Sequence, residues 1–142
     1  MAIRFFSENI SYQLNEQEKV MTWLSTVIKS KGKLLSNINY IFCDDEYLID
    51  INQKYLGHDT YTDIITFDNS EKKNELEADI YISVERVKEN AEKFDIENDE
   101  ELRRVMVHGI LHLCGLQDKL DDEKEIMRVN EDECLEIYNQ LQ

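Results

Sequence analysis

Val20, Trp23, Leu24, Val27 and Ile28 recur at intervals of three and four, the spacing that returns side chains to one face of a helix. Asn15, with Glu18 three residues on, has the form of a capping box at the start of that helix, and Gly32 supplies a stop. On either side the period changes. "IRFF" near the N-terminus and "INYIFCDD" from position 38 read as strands, and Asp44 or Asp45 can cap the short helical stretch "EYLIDINQKYL". Two further strands follow, "DIITFD" and "ADIYISVE". In the second, Ala78, Ile80, Ile82 and Val84 share one face, as a period of two requires. The polar "EKKNE" between them reads as a hairpin turn, which makes the pair antiparallel. Helices are then predicted over 84–95, from Asn98 to about Cys114, and from about Asp122 to Leu141. The last has Ile126, Met127, Cys134, Ile137, Tyr138 and Leu141 as its inward stripe.

This order of elements predicts an α+β fold, a small mixed sheet of about four strands covered by helices. The chain has no proline, four glycines, no repeat and no low-complexity run, so nothing marks a linker and residues 1–142 are expected to form a single domain.

Composition narrows the classes. No apolar run approaches the ~20 residues of a membrane span, and "MAIRFFSENI" lacks the apolar core of an export leader, so a cytoplasmic protein without membrane contact is expected. Cys43, Cys114 and Cys134 are odd in number and widely spaced, the usage of reduced thiols. The net charge of −15 repels phosphate over most of the surface. The nearest approach to a basic patch is "IKSKGKL", with Lys29, Lys31 and Lys33, a pattern more common at a solvated helix end. Composition alone argues against a nucleic-acid substrate.

The candidate chemistry lies in "HGILHLCGLQDK", residues 108–119, which holds two of the three histidines. On a helix, His108 and His112 stand ~40° apart and ~6 Å along the axis, and can aim nitrogens at one point ~2.0–2.1 Å from each, which suits zinc. Val105, Met106, Ile110, Leu111 and Leu113 make most of that helix apolar, and burial at its edge keeps a lone imidazole neutral and able to ligate. Gly115 ends the helix, the chain turns back, and Asp118 brings an oxygen. Three protein ligands leave a fourth position for water, the catalytic arrangement. The pair also has an ordinary reading as core-edge histidines, and it is the glycine and spaced aspartate that favour the metal. Cys114 is a possible soft ligand or a small core thiol. Position 109, where an HExxH protease carries its general base, is Gly109, so that peptidase route is disfavoured.

These residues resemble a known family. "HGILHLCGLQDK" is similar to HGxLHLxGYDH, the signature of the YbeY family of bacterial ribosomal-RNA maturation endoribonucleases. "NQKYLGHDTYTDIITF" resembles that family's N-x-x-Y-R-x-x-D-x-P-T-D-V-L-S-F segment, and "ADIYISVE" its G-D-I-x-I-S strand. The resemblance covers residues 52–118. It implies one zinc ion per chain, held by His108 and His112, with Asp118 where the family has a third histidine; His58 is the rival third ligand. It also implies a single-strand endoribonuclease acting in 16S ribosomal-RNA 3′-end maturation and ribosome quality control, with ribosomal RNA and small-subunit ribosomal proteins as partners. Besides Asp118, three departures stand out. The family arginine is Leu56, the loop proline is Tyr61, and Leu116-Gln117 replaces Y-D. Asp59, Thr62 and Asp63 match the loop motif and either line the cleft or form turns and caps; Asp79 is equally open. No general base is assigned. Two other classes remain: a zinc-containing ribosome-assembly factor that cuts nothing, and a metal-dependent hydrolase of a small molecule or peptide.

Overall fold

The computed structural model describes residues 2–58 and 60–141. Strand β1 (Ala2–Ser7) leads through helix α1 (Gln17–Ser30) to β2 (Leu34–Cys43), which pairs with β1 in parallel, the crossover being the helix. Helix α2 (Asp45–Ile51) follows, then β3 (Ile64–Asp68) and β4 (Glu75–Ser83). These last two are antiparallel, as the polar turn predicts, but β4 inserts between β2 and β3, giving the order β1-β2-β4-β3. Helices α3 (Val84–Phe94), α4 (Asn98–Leu113) and α5 (Asp121–Gln140) complete a mixed four-stranded sheet covered by helices. Among the described residues no helix is long and apolar enough to cross a membrane.

Alternation along the strands places the core. Ile38, Tyr40 and Phe42 of β2 and Ala78, Ile80 and Ile82 of β4 are buried on one face, against Trp23, Leu24 and Val27 of α1 and Met106 and Ile110 of α4. Each buried Val, Leu, Ile, Phe or Met among them contributes about 1.5–3 kcal/mol by leaving water. The Tyr40 hydroxyl is also satisfied, donating to the Met106 carbonyl at 2.8 Å. The opposite face carries a smaller cluster of Cys43, Leu48, Ile51 and Ile65 beneath α2.

Several local expectations give way to tertiary partners. The Asn15–Glu18 capping box does not form: Glu16 takes the N-cap position with φ 56°, no side chain caps the helix, and Asn15 Nδ2 instead donates to Asp99 Oδ2 at 3.1 Å. Val84 does not extend the strand but opens α3, because Ser83 Oγ accepts the Arg86 N–H at 3.1 Å as a cap. The helix expected over 46–56 changes its winding. It is α-helical to Ile51 and then widens into a π-helical turn, Asn52–Leu56, closed by Gly57 at φ 68°. On α5, Ile126 is 53% exposed, and Glu131 and Leu135 take inward places beside Met127, Cys134 and Tyr138.

Candidate functional site

Arg104, His108 and His112 follow one another at four-residue intervals along one edge of α4. The glycine between the histidines explains how close that edge lies to the sheet. A Cβ at Gly109 would stand 3.1 Å from Ile64 Cδ1, 3.3 Å from Ile80 Cδ1 and 3.4 Å from Thr66 Oγ1. Position 109 therefore faces β3 and β4, and a longer side chain there would meet the sheet.

The end of α4 is built to hold His112. Gly115, at φ 106°, adopts a backbone that other residues avoid. Its N–H donates to the His112 carbonyl (3.0 Å), and the Leu116 N–H donates to the Leu111 carbonyl (3.1 Å). This is the paired pattern of a Schellman stop. The same turn carries the Leu116 carbonyl to 3.0 Å from His112 Nδ1, and when Nδ1–H donates there, Nε2 is the nitrogen left for a ligand. The two imidazole rings lie nearly parallel, at 9°, with centroids 6.3 Å apart.

His108 is held from both sides. Its Nδ1 is 2.7 Å from Glu131 Oε2 on α5, and its Nε2 is 3.1 Å from Asp118 Oδ2 in the turn after α4. Burial alone would lower its pKa, but the hydrogen bond and charge of Glu131, joined by Asp118 and Asp63, outweigh that and raise it above the ordinary imidazole value. Burial thus does not act alone at His108, since the carboxylates that share its pocket oppose it. Glu131 is buried, with Oε1 taking Arg104 Nη1 at 3.0 Å, while Arg104 Nη2 reaches Asp132 at 2.6 Å. Neither Glu131 nor Arg104 stood out in the sequence. A signal existed: position 131 falls on the apolar stripe of Met127, Cys134, Leu135 and Tyr138, where a charge needs a reason.

The facing wall comes from the π-helical turn and the loop behind it. Buried Asn52 pins that loop, its Nδ2 donating to the Thr60 carbonyl at 2.9 Å and its own carbonyl accepting the His58 N–H at 3.2 Å. Between the walls lies a cleft of about 500 Å³ that brings together His108, His112, Asp118, His58, Thr62 and Asp63. Asp63 sits deep enough that burial raises its carboxyl above the usual range, although His108 and Arg86 pull the other way. Thr62 Oγ1 turns to the Ile64 carbonyl at 3.4 Å. Leu56 also lines the cleft, half-exposed, while Arg104 and Arg128 line an adjoining cavity that shares Asp63, His108 and Asp118 with it. Asp59 lies outside the described residues. Asp79 is elsewhere, accepting from Asn39 (3.0 Å) and Asn69 (3.3 Å) within and beside the sheet. Cys114 packs against the core rather than lining the cleft, and burial pushes all three thiols up, Cys43 to about 12 and Cys134 to about 11.

Among the described residues no three histidine, cysteine or carboxylate side chains yet stand together as a metal cage; Asp118 is paired with His108 instead. The donor set nonetheless fits a divalent metal. Each imidazole has its Nδ1 occupied by an oxygen, one carboxylate and one backbone carbonyl, the usual partners of metal-bound histidine. That leaves Nε2 of both, with the Asp118 carboxylate already beside one of them.

Fold and cleft together define an α+β protein that sets a two-histidine helix edge and its following turn against an acidic loop. Comparison with known proteins narrows this class. The family model described as "Endoribonuclease YbeY" matches residues 3–139. The chain is 53% identical to "Endoribonuclease YbeY" of Christiangramia forsetii over 137 residues, covering 96% of this chain and 94% of that protein. It is 50% identical to the protein of the same name in Flavobacterium psychrophilum, covering 94% and 95%. Among solved structures, the solution structure of TM1509 from Thermotoga maritima superposes with a TM-score of 0.67 at 26% identity, covering 96% of this chain and 88% of that one. The chain belongs to the YbeY family.

Proposed function

We propose that this protein is an endoribonuclease that cuts single-stranded RNA, with one zinc ion held by His108, His112 and Asp118. Its place would be 16S ribosomal-RNA 3′-end maturation and ribosome quality control, with ribosomal RNA and small-subunit ribosomal proteins as partners. The observation that carries this reading is the convergence of His108, His112, Asp118 and Asp63 on one cleft in a chain of the YbeY family. When bound, zinc supplies a Lewis acid that polarises a phosphoryl oxygen or activates water at neutral pH.

The chain's own residues do the rest. Glu131 and the Leu116 carbonyl orient the two imidazoles, leaving Nε2 of each toward the cleft. Asp63, its carboxyl raised by burial, is the cleft's group for accepting or holding a proton on a carboxylate oxygen. Asn52 fixes the loop that bears Thr62 and Asp63. A cleft of this size admits a strand with unstacked bases more readily than a rigid duplex.

The test is to incubate zinc-loaded protein with a single-stranded precursor of the 16S 3′ end, beside the His108→Ala/His112→Ala variant purified identically. Cutting by the wild type alone supports the reading. Equal cutting by both exposes a contaminating nuclease and counts against it. A second reading, a zinc-containing assembly factor without catalysis, is favoured by Leu56 at the cleft and the −15 charge. No cutting by either protein would select it.

A further inference from the structure

We infer that Glu131, braced by Arg104, is a positioning residue for His108, so that helix α5 sets how tightly the site takes its metal. The inference rests on the metal reading above.

One carboxylate on α5 serves two residues of α4 that lie one turn apart. Oε2 is 2.7 Å from His108 Nδ1 and Oε1 is 3.0 Å from Arg104 Nη1. Glu131 is only 6% exposed. Burying a carboxylate costs several kcal/mol unless it is paired, and apolar residues of similar volume commonly replace a buried ion pair without loss of stability. Helix docking alone would therefore be served as well by apolar residues at 131 and 104 together. What an apolar residue at 131 could not do is accept the Nδ1 proton of His108. A carboxylate at that nitrogen fixes the ring's orientation, leaves Nε2 as the ligating atom and makes it a stronger donor. Arg104, anchored in turn by Asp132 at 2.6 Å, keeps Oε1 engaged and holds Oε2 toward the imidazole. His112 receives the same service from the Leu116 carbonyl, a neutral group. The two histidines are thus supported unequally, and only His108 draws its support from another helix.

The experiment compares wild type, Glu131→Gln and Glu131→Asp, each stripped of metal and checked by circular dichroism for a cooperative melt. Zn²⁺ affinity is measured by competition with a chromophoric chelator, and the visible spectrum is recorded on loading with Co²⁺. Glu131→Asp keeps the negative charge on α5 while drawing the carboxylate back, so it separates loss of the Nδ1 contact from loss of the charge even where the glutamine variant folds poorly. Zn²⁺ binding should weaken about 10- to 100-fold in both variants, with a changed Co²⁺ spectrum. Affinity and spectrum equal to wild type in the folded aspartate variant would overturn the inference while leaving the metal reading intact. A wild type that binds neither ion would overturn the metal reading itself, and the inference with it.

Discussion

Asp63 sits where burial works against its own ionisation, and that has a measurable sign. Its folded pKa is raised above the ordinary carboxylate value, so the ionised form is the less favoured one in the fold. The associated stability is present below the unfolded pKa and is lost as pH rises through the folded one. At a pH above its folded pKa the wild type therefore bears the cost of that desolvated charge. Asp63→Asn is expected to melt at higher temperature than wild type at that pH, the gap closing as the pH falls through the carboxylate range. A scan of melting temperature against pH checks it. In the sequence, Asp63 is legible as a member of a motif, with cleft lining and strand capping both open. Its partial burial is not legible, because His108, which shares its pocket, lies 45 residues on. Glu131 is the sharper case: its position on an apolar stripe is readable, but its partner on another helix is not. His108 and His112, four apart on one helix, need no tertiary information to be found together.

At the scale of elements, local signals survive where their partners are local. Gly115 stops α4 as expected, since a Schellman turn is made from residues within one short segment. The Asn15 cap does not form, and its amide N–H donates to Asp99 across the fold. The π-helical turn at Asn52–Leu56 carries no sequence mark that separates it from the α-helix before it. Two predictions belong here. Gly115→Ala forces a side chain into a left-handed backbone, at a cost of roughly 1–2 kcal/mol. It also disturbs the Leu116 carbonyl over His112, so Zn²⁺ affinity should fall along with the melting temperature, the two read by chelator competition and calorimetry. Gly109→Glu puts a side chain between α4 and the sheet, against Ile64, Ile80 and Thr66. It should destabilise by more than 2 kcal/mol, the range of overpacking plus a buried unpaired carboxylate, and should add no peptidase activity in a casein assay. The base of an HExxH protease has no room here because the helix lies too close to β3 and β4.

For the whole molecule, alternation and element order are enough to read an α+β fold, since period-two and helical runs alternate cleanly along the chain. The insertion of β4 between β2 and β3 is not readable, because pairing partners are chosen by packing and not by neighbourhood in sequence. Net charge acts at this scale too. At −15, the protein repels a polyanion before any contact forms. Salt shortens the Debye length to ~10 Å at 0.1 M, so on the endoribonuclease reading the apparent KM for RNA should fall as monovalent salt rises from about 20 to about 150 mM. A basic nuclease would show the reverse. Steady-state cleavage at several ionic strengths checks the direction.

The chain has one tryptophan, and Trp23 is fully buried, its indole N–H donating to the Cys134 carbonyl on α5 at 2.7 Å and its ring meeting the edge of Tyr138 at 5.3 Å. It therefore makes the protein's tryptophan fluorescence a gauge of how α1 seats on α5. The emission should be blue-shifted in the native state, and it should redden in denaturant as those two helices part.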